Sequence, residues 1–410
     1  RDEQDRILDT GLELWTQIDN AYSAEFARAL NVPMPMPPTL RTIQTTLQDI
    51  SRTQKIKPSL IYVRVQDTSI ELVLVTSEGL PVYRPVDVTA TEMQAVINEF
   101  HQKIIDPILR PAQYLPPAQQ LYDWLVRPLS NDLRRANIDH IGFILDTGLR
   151  SLPMAALHDG EHFLIENYSI GLMPSVGLTS MGLSQSLQPD KESVLAMGIA
   201  DFVDQPDLEA VPLELQLATQ KTGNDYYLND EATLGALQKH LKENRHNTVH
   251  LATHATVTAG NSENSYVQLW DETVSFNQLQ TLPLDAVEFL ILSACATAIG
   301  DVNAEFGFAG LAVKVGVRTA LASLWSISDE GTLGLMAEFY RALETVQPRS
   351  VALRQAQLAM LRGHVGIRNG TVYSNRDQTI GYLPSLAASG NWNFSHPAYW
   401  SGFTIIGNPW

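Results

Sequence analysis

One cysteine is all the sequence holds in 410 residues, so no internal disulfide forms and nothing in the fold depends on an oxidising compartment. Basic residues are scarce as well. The 28 Lys and Arg set against 45 Asp and Glu leave a formal net charge of -17. That excludes general binding to nucleic acid, which needs basic patches that displace counterions from the phosphates. Basic substrates or partners fit such a field better. Nowhere do 18 apolar residues run together, so neither a transmembrane helix nor a membrane partner is expected. The opening RDEQDRIL has no initiating Met and no signal-like apolar stretch. It reads as a cut inside a longer protein or after processing, with a cytoplasmic location as the expectation. A G-x-x-x-x-G-K-[ST] phosphate loop, a dinucleotide fingerprint and a G-x-S-x-G elbow are also missing, and no cofactor is expected.

What is present is apolar and periodic. With 44% hydrophobic and 18% charged residues the chain can bury sizeable cores, and its length favours two of them. Residues 1–58 read as a helical N-terminal segment followed by a linker. In DRILDTGLELWTQI the positions Ile7, Leu8, Leu12, Leu14, Trp15 and Ile18 approximate one helix face, which NVPMPMPPTL then stops. Residues 59–185 form an α/β unit. LIYVRV and IELVLVTSEGLPVYRPV read as an antiparallel meander, followed by amphipathic helices and the buried strand HIGFIL. After the polar linker SQSLQPDKES, residues 190–410 alternate apolar strands (VLAMGIA, NTVHLAT, AVEFLILSA, RTALASLW) with helices, the pattern of a largely parallel sheet covered on both faces.

The single cysteine lies at the end of one of these strands. AVEFLILSAC puts Cys295 just past a strand at 287–293, and TVHLATHA puts His254 just past a strand at 248–253. Reactive groups of open parallel sheets collect at such carboxyl ends. If the two strands are neighbours, imidazole and thiol meet at one rim, where the imidazole activates the thiol as base or ion-pair partner and later protonates the leaving amine. The backbone N–H groups of Ala255 and Cys295, both expected on turns, are the oxyanion-hole candidates. A lone cysteine or histidine is commonly a core residue; the joint placement is what points to chemistry. His250 and His254 do not form a zinc pair, because four strand residues separate their rings by roughly 13 Å. No metal site is expected, and His250 reads as a core residue or as one that supports the site from behind.

These residues carry a resemblance. HLATHA, SFNQLQTLPLDAVEFLILSACATAIGD and GFAGLAVKVGVRTALASLWSISDEGTLGLMAEFYRAL resemble the CHAT domain family, as do LYDWLVRPL, GFILDTGLRSLPMAALHDGEHFLIENYSIGLMPS and FSHPAYWSGFTIIGN, so about residues 55–408 are covered. The resemblance implies a caspase-like (caspase-hemoglobinase) α/β fold related to separase, with a mostly parallel sheet sandwiched by helices and an inactive pseudo-caspase half ahead of the catalytic one. It implies a cysteine endopeptidase with His254 and Cys295 as its dyad, a polypeptide substrate, and a regulatory protein or TPR segment as partner. A catalytically silent interaction scaffold is the alternative. Ala255 stands where many relatives have Gly, and ATAIGD lacks the acidic residue common after the Cys-Ala-Thr. Asp201, Asp329 and Glu330 occupy the places expected to line the S1 pocket, where a carboxylate would favour a basic P1 residue. Asp329 as a helix N-cap with Glu330 in the first turn, and Asp201 as a turn residue, are the plainer readings. The insertion at 364–393 reads as a lid, a partner loop or a mobile segment.

Overall fold

Apolar stripes at helical spacing build the N-terminal region. The structure is a computed structural model that describes residues 3–179, 181, 193–257, 265–284, 286–297, 302–346, 348–374 and 378–410; of residues 3–10, 295–297, 302 and 303 it describes the backbone alone. Helix α1 (Glu3–Leu30) buries Leu14, Ile18, Tyr22 and Phe26, one row of i, i+4 neighbours, together with Trp15. Leu12 falls off that row and is 40% exposed, against expectation, while the side chains of Ile7 and Leu8 lie outside those described. The expected linker contains a second helix, α2 (Leu40–Gln54), started by Thr39, whose Oγ1 accepts from the Thr42 N–H at 3.1 Å. Ile43, Leu47 and Ile50 bury its inner face.

The first half continues as β1 (Pro58–Val65), β2 (Ile70–Thr76), β3 (Val82–Val86), α3 (Ala90–Ile104), α4 (Pro111–Leu125), α5 (Ser130–Arg135), β4 (His140–Ile144), α6 (Leu164–Asn167) and β5 (Ser169–Leu172). The expected meander is there: β1, β2 and β3 pair antiparallel in sequence order. The expected linker SQSLQPDKES lies outside the described residues except for its last one, Ser193.

In the second half come β6 (Val194–Gly198), α7 (Val211–Thr219), β7 (Tyr226–Leu228), α8 (Leu234–Lys242), β8 (Thr248–Val257), β9 (Tyr266–Gln268), β10 (Thr273–Ser275), α9 (Phe276–Gln280), β11 (Phe289–Thr297), α10 (Val302–Ala309), α11 (Leu311–Val315), β12 (Thr319–Ser323), α12 (Asp329–Leu343) and α13 (Arg349–Leu361). Then follow β13 (Gly366–Arg368), β14 (Thr371–Ser374), β15 (Gln378–Tyr382), β16 (Trp392–Asn393) and β17 (Phe403–Gly407).

One 13-stranded sheet runs through both halves, with helices on its faces, in the order β10-β9-β8-β11-β12-β17-β5-β4-β1-β2-β3, while β6 and β7 join it beside β8. The last strand is its seam: β17 lies antiparallel to β12 and parallel to β5. Its Phe403, Ile405 and Ile406 are at most 1% exposed, each burial contributing about 1.5–3 kcal/mol. Because β4 and β5 are parallel to β17 while β8, β11 and β12 run the other way, the carboxyl ends of the two halves' parallel strands lie at opposite rims. The 364–393 insertion forms its own four-stranded sheet, β15-β14-β13-β16, against α12, where a Cβ on Gly334 would come within 2.7 Å of Val365. Among the described residues no helix is long and apolar enough to cross a membrane.

Candidate active site

Strands β8 and β11 are parallel neighbours, from Thr248 opposite Phe289 onward. The burial of both faces accounts for their unbroken apolar runs. Both extend further than expected, to Val257 and Thr297. The reason is a change of partner: β6 pairs with β8 only as far as Ala252, and β9 then pairs antiparallel with Ala255 and Thr256. His254 and Cys295 therefore belong to the ends of strands, where the sequence suggested positions just beyond them. The β8–β11 register shifts between Leu292 and Ala294, since Leu292 faces Leu251 and Ala294 faces His254. The extra residue is on β8, a bulge of the kind that bends a strand beside a site. Cys295 is level with Ala255, one step along from His254. The Cys295 side chain is outside those described.

His254 is half-buried. Its Nε2 lies 2.9 Å from the carbonyl oxygen of Pro206 and its ring stands 4.6 Å from that of Phe202. A carbonyl only accepts, so Nε2 carries the proton, and in the neutral ring Nδ1 is then the unprotonated nitrogen. Pro206 and Phe202 belong to the loop 199–210 between β6 and α7. That loop leaves β6 at Gly198, where a Cβ would stand 2.7 Å from the Ala252 oxygen and from Val211 Cγ1, so only glycine permits the close approach. Behind it, His250 is fully buried, with Nε2 2.8 Å from Glu214 Oε1 and Nδ1 2.7 Å from the Tyr340 hydroxyl. It joins β8 to α7 and α12.

Ala255, expected on a turn, is 2% exposed and has Val267 on one side and Cys295 on the other. The N–H groups of a strand flanked on both sides lie in the sheet plane, directed at a neighbour. Asp201 is exposed, and its Oδ2 accepts from Asn229 Nδ2 at 2.7 Å. Asp329 is the first residue of α12 and not its cap; Ser328 caps the helix by accepting from Gly331 N. The Asp329 Oδ2 accepts instead from the Ala210 N–H at 2.6 Å. Desolvation, followed by the nearby Glu214, Glu330 and Glu209 charges, pushes its carboxyl up to about 7, against the lowering effect of that N–H. Glu330 sits beside it, half-buried in the first turn of α12. Among the described residues no three His, Cys, Asp or Glu side chains come together as a metal site.

Sequence reading missed Pro206, Asn229, Glu214 and Tyr340. The first acts through a main-chain oxygen, which leaves no residue signature. Asn229, at φ 52, occupies a left-handed position that asparagine tolerates, and its identity alone does not reveal which loop its amide reaches.

The sequence model of the CHAT domain family matches residues 115–408. No curated protein matches the chain. A solved Saccharomyces cerevisiae separase–securin complex at 3.0 Å is similar at 10% identity and a TM-score of 0.47, over 90% of this chain and 31% of that one. A second, at 2.6 Å, is similar at 10% identity and a TM-score of 0.45, with the same coverage of 90% and 31%. The chain thus spans about a third of the length of these solved chains.

Proposed function

We propose that this chain, which belongs to the CHAT domain family, is a caspase-like cysteine endopeptidase that cleaves a specific polypeptide by acyl transfer through His254 and Cys295. The observation that carries the reading is the adjacency of β8 and β11, with the two residues one register step apart, a diagonal of about 6 Å between Cα atoms. In this reading His254 Nδ1 takes the thiol proton and the sulfur attacks the scissile carbonyl carbon. The C–N bond breaks as the imidazolium returns the proton to the leaving amine. Water deprotonated by the same ring then opens the thioester and frees the carboxylic acid. The Pro206 oxygen orients the ring and stabilises its transient charge.

Level positions of neighbouring strands share a face, and successive positions alternate. Because Cys295 is level with Ala255 and not with His254, cleavage requires the end of β11 to slip by one position or to part from β8. The same change would release the N–H groups of Ala255 and Cys295 toward an oxyanion. A regulatory protein or a TPR segment could supply it. The offset equally favours a second reading, a scaffold of peptidase shape without turnover. For specificity, exposed Asp201 is the S1 candidate best able to meet a basic P1 side chain, with Asp329 and Glu330 behind it.

Cys295→Ala and His254→Ala should each lower peptide or partner cleavage at least about a thousandfold with unchanged circular dichroism. Cleavage that persists in Cys295→Ala sinks the peptidase reading. A stoichiometric peptide-derived covalent inhibitor separates the two readings, because it labels Cys295 in an enzyme and leaves a scaffold unmodified.

A further inference from the structure

The loop 199–210 is tied down at both ends by side chains from outside it. At its start, Asn229 Oδ1 accepts from the Ala200 and Asp201 N–H groups at 2.8 and 3.3 Å, and Asn229 Nδ2 donates to Asp201 Oδ2 at 2.7 Å. At its end, the Ala210 N–H donates to Asp329 Oδ2 at 2.6 Å. Between these ties the loop closes on itself, through Leu208 N to Ala200 O at 2.8 Å and Phe202 N to Asp207 Oδ1 at 2.8 Å. Its middle presents the Pro206 oxygen to His254 Nε2 at 2.9 Å.

The first turn of α12 favours an acidic residue at Asp329 but does not need it as a cap. Ser328 already caps α12, and the charges that act on Asp329 are Glu214 of α7, Glu330 of its own helix and Glu209 of the loop, all of the same sign. A carboxylate kept among carboxylates and aimed at one N–H of another element is explained by what that N–H holds in place.

We propose that Asp329 and Asn229 are positioning residues: they fix the two ends of the 199–210 loop so that the Pro206 carbonyl meets the His254 imidazole and keeps Nδ1 free as the base. This rests on the reading of His254 as the catalytic base. It also changes the part played by Asp329, from a pocket carboxylate that selects a basic P1 residue to an anchor that serves every substrate alike.

The two roles separate experimentally. Asparagine keeps an oxygen that can accept from the Ala210 N–H, and alanine does not. As an anchor, Asp329→Ala should lower kcat about tenfold to a hundredfold on peptides with Arg or Leu at P1 alike, with KM nearly unchanged, and Asp329→Asn should recover most of that loss. As a pocket residue, both variants would lose activity on Arg peptides only, mainly through KM, which would overturn the proposal, as would an unchanged kcat in Asp329→Ala. The 15N spectrum of the His254 imidazole gives a reading that does not depend on turnover. The wild type should show a single Nε2–H tautomer, Asp329→Ala and Asn229→Ala a mixture of tautomers, and Asp329→Asn the wild-type pattern. Unaltered imidazole signals in both alanine variants overturn the anchor even if the chain cleaves nothing, whereas the peptidase reading stands or falls with Cys295→Ala.

Discussion

Strand β4 of the first half and strand β6 of the second both run out at their carboxyl ends into loops rich in polar residues, and the two rims have been put to opposite uses. After β4, Asp146 accepts from the N–H groups of Val65 and Thr147, each at 2.8 Å. Gly148 turns at φ +87 and donates to Glu305 of α10 at 2.7 Å, and the Ser151 hydroxyl donates to the same carboxylate at 2.6 Å. Arg150 is 1% exposed, with its guanidinium 4.5 Å from the ring centroids of Phe26 and Phe306 and 2.9 Å from Glu25. Apart from Arg150 Nη1, which meets no hydrogen-bond partner among the described residues, these charged groups are matched by groups from α1, from the first half or from α10, so this rim works as a strut between the two halves. After β6 and beside β8 the carboxylates of Asp201, Asp204 and Asp207 are exposed, even though Asp201 and Asp207 also tie the loop, and the half-buried His254 ring meets the Pro206 oxygen through Nε2. A strand exit whose polar groups are used up in pairing can only support; chemistry needs one whose valences are left over.

The largest expected effect breaks the strut. Arg150→Ala removes a buried side chain from between aromatic rings and leaves Glu25, 38% exposed, with the Thr147 hydroxyl, which should cost about 2–5 kcal/mol through lost packing, read as a loss in the urea midpoint. Since Phe26 and Phe306 join α1 to α10, with rings 5.0 Å apart, hydrogen exchange in α10 should speed up along with that in α1. A loss below about 1 kcal/mol, or faster exchange confined to α1, would mean that the first-half rim does not brace the helix following Cys295.

Acid offers a gentler way to separate the two halves. His101, which reaches the Ser151 oxygen at 3.0 Å, and His140, between Ser169 and Ser350, are held neutral by desolvation, which depresses them to about 4 and about 3. An unfolded histidine takes its proton near 6.5. The unfolded chain therefore binds more protons across this window, and stability is lost as pH falls from about 6.5 toward 3–4. Asp329 has the opposite sign. Its raised carboxyl favours the folded state below the ordinary 3.8, and that contribution is lost as pH rises toward about 7. Protection factors, which correct for the intrinsic slowing of exchange in acid, should therefore fall between pH 7 and pH 4.5 by more in β4 and α3 than in β6 and α12. An equal fall in both pairs would erase the contrast.

Some of this arrangement was legible in the sequence and some was not, for identifiable reasons. Small residues following apolar strands pointed to Cys295 and His254, and the adjacency of their strands fits the usual course of parallel sheets. Helix α2 could have been found, since Thr39 followed by Ile43, Leu47 and Ile50 has a cap and a stripe, but the prolines just before it drew the reading toward a linker. The insertion of β17 between β12 and β5 has no local signal, because strand order is decided by the packing of distant segments. Likewise, nothing in GIADFVDQPDLEA distinguishes the Pro206 carbonyl from its neighbours, and the bulge in β8 is visible only against β11.

The smallest expected effect tests the surplus on the second rim directly. Val203 lies in the His254 loop and is 99% exposed, whereas Leu149, in the loop after β4, is 1% exposed. Val203→Ser should leave stability within about 0.5 kcal/mol, the range of surface substitutions. Leu149→Ser should cost about 2–5 kcal/mol, through lost packing and a buried hydroxyl. Val203 projects three residues from the Pro206 carbonyl, so its substitution also tests whether a substrate docks against it. Val203→Ser should accordingly raise KM for peptide substrates a few-fold while kcat is kept. A destabilisation comparable to that of Leu149→Ser would show that the second rim is braced like the first, and the distinction between strut and site would then rest on His254 and Cys295 alone.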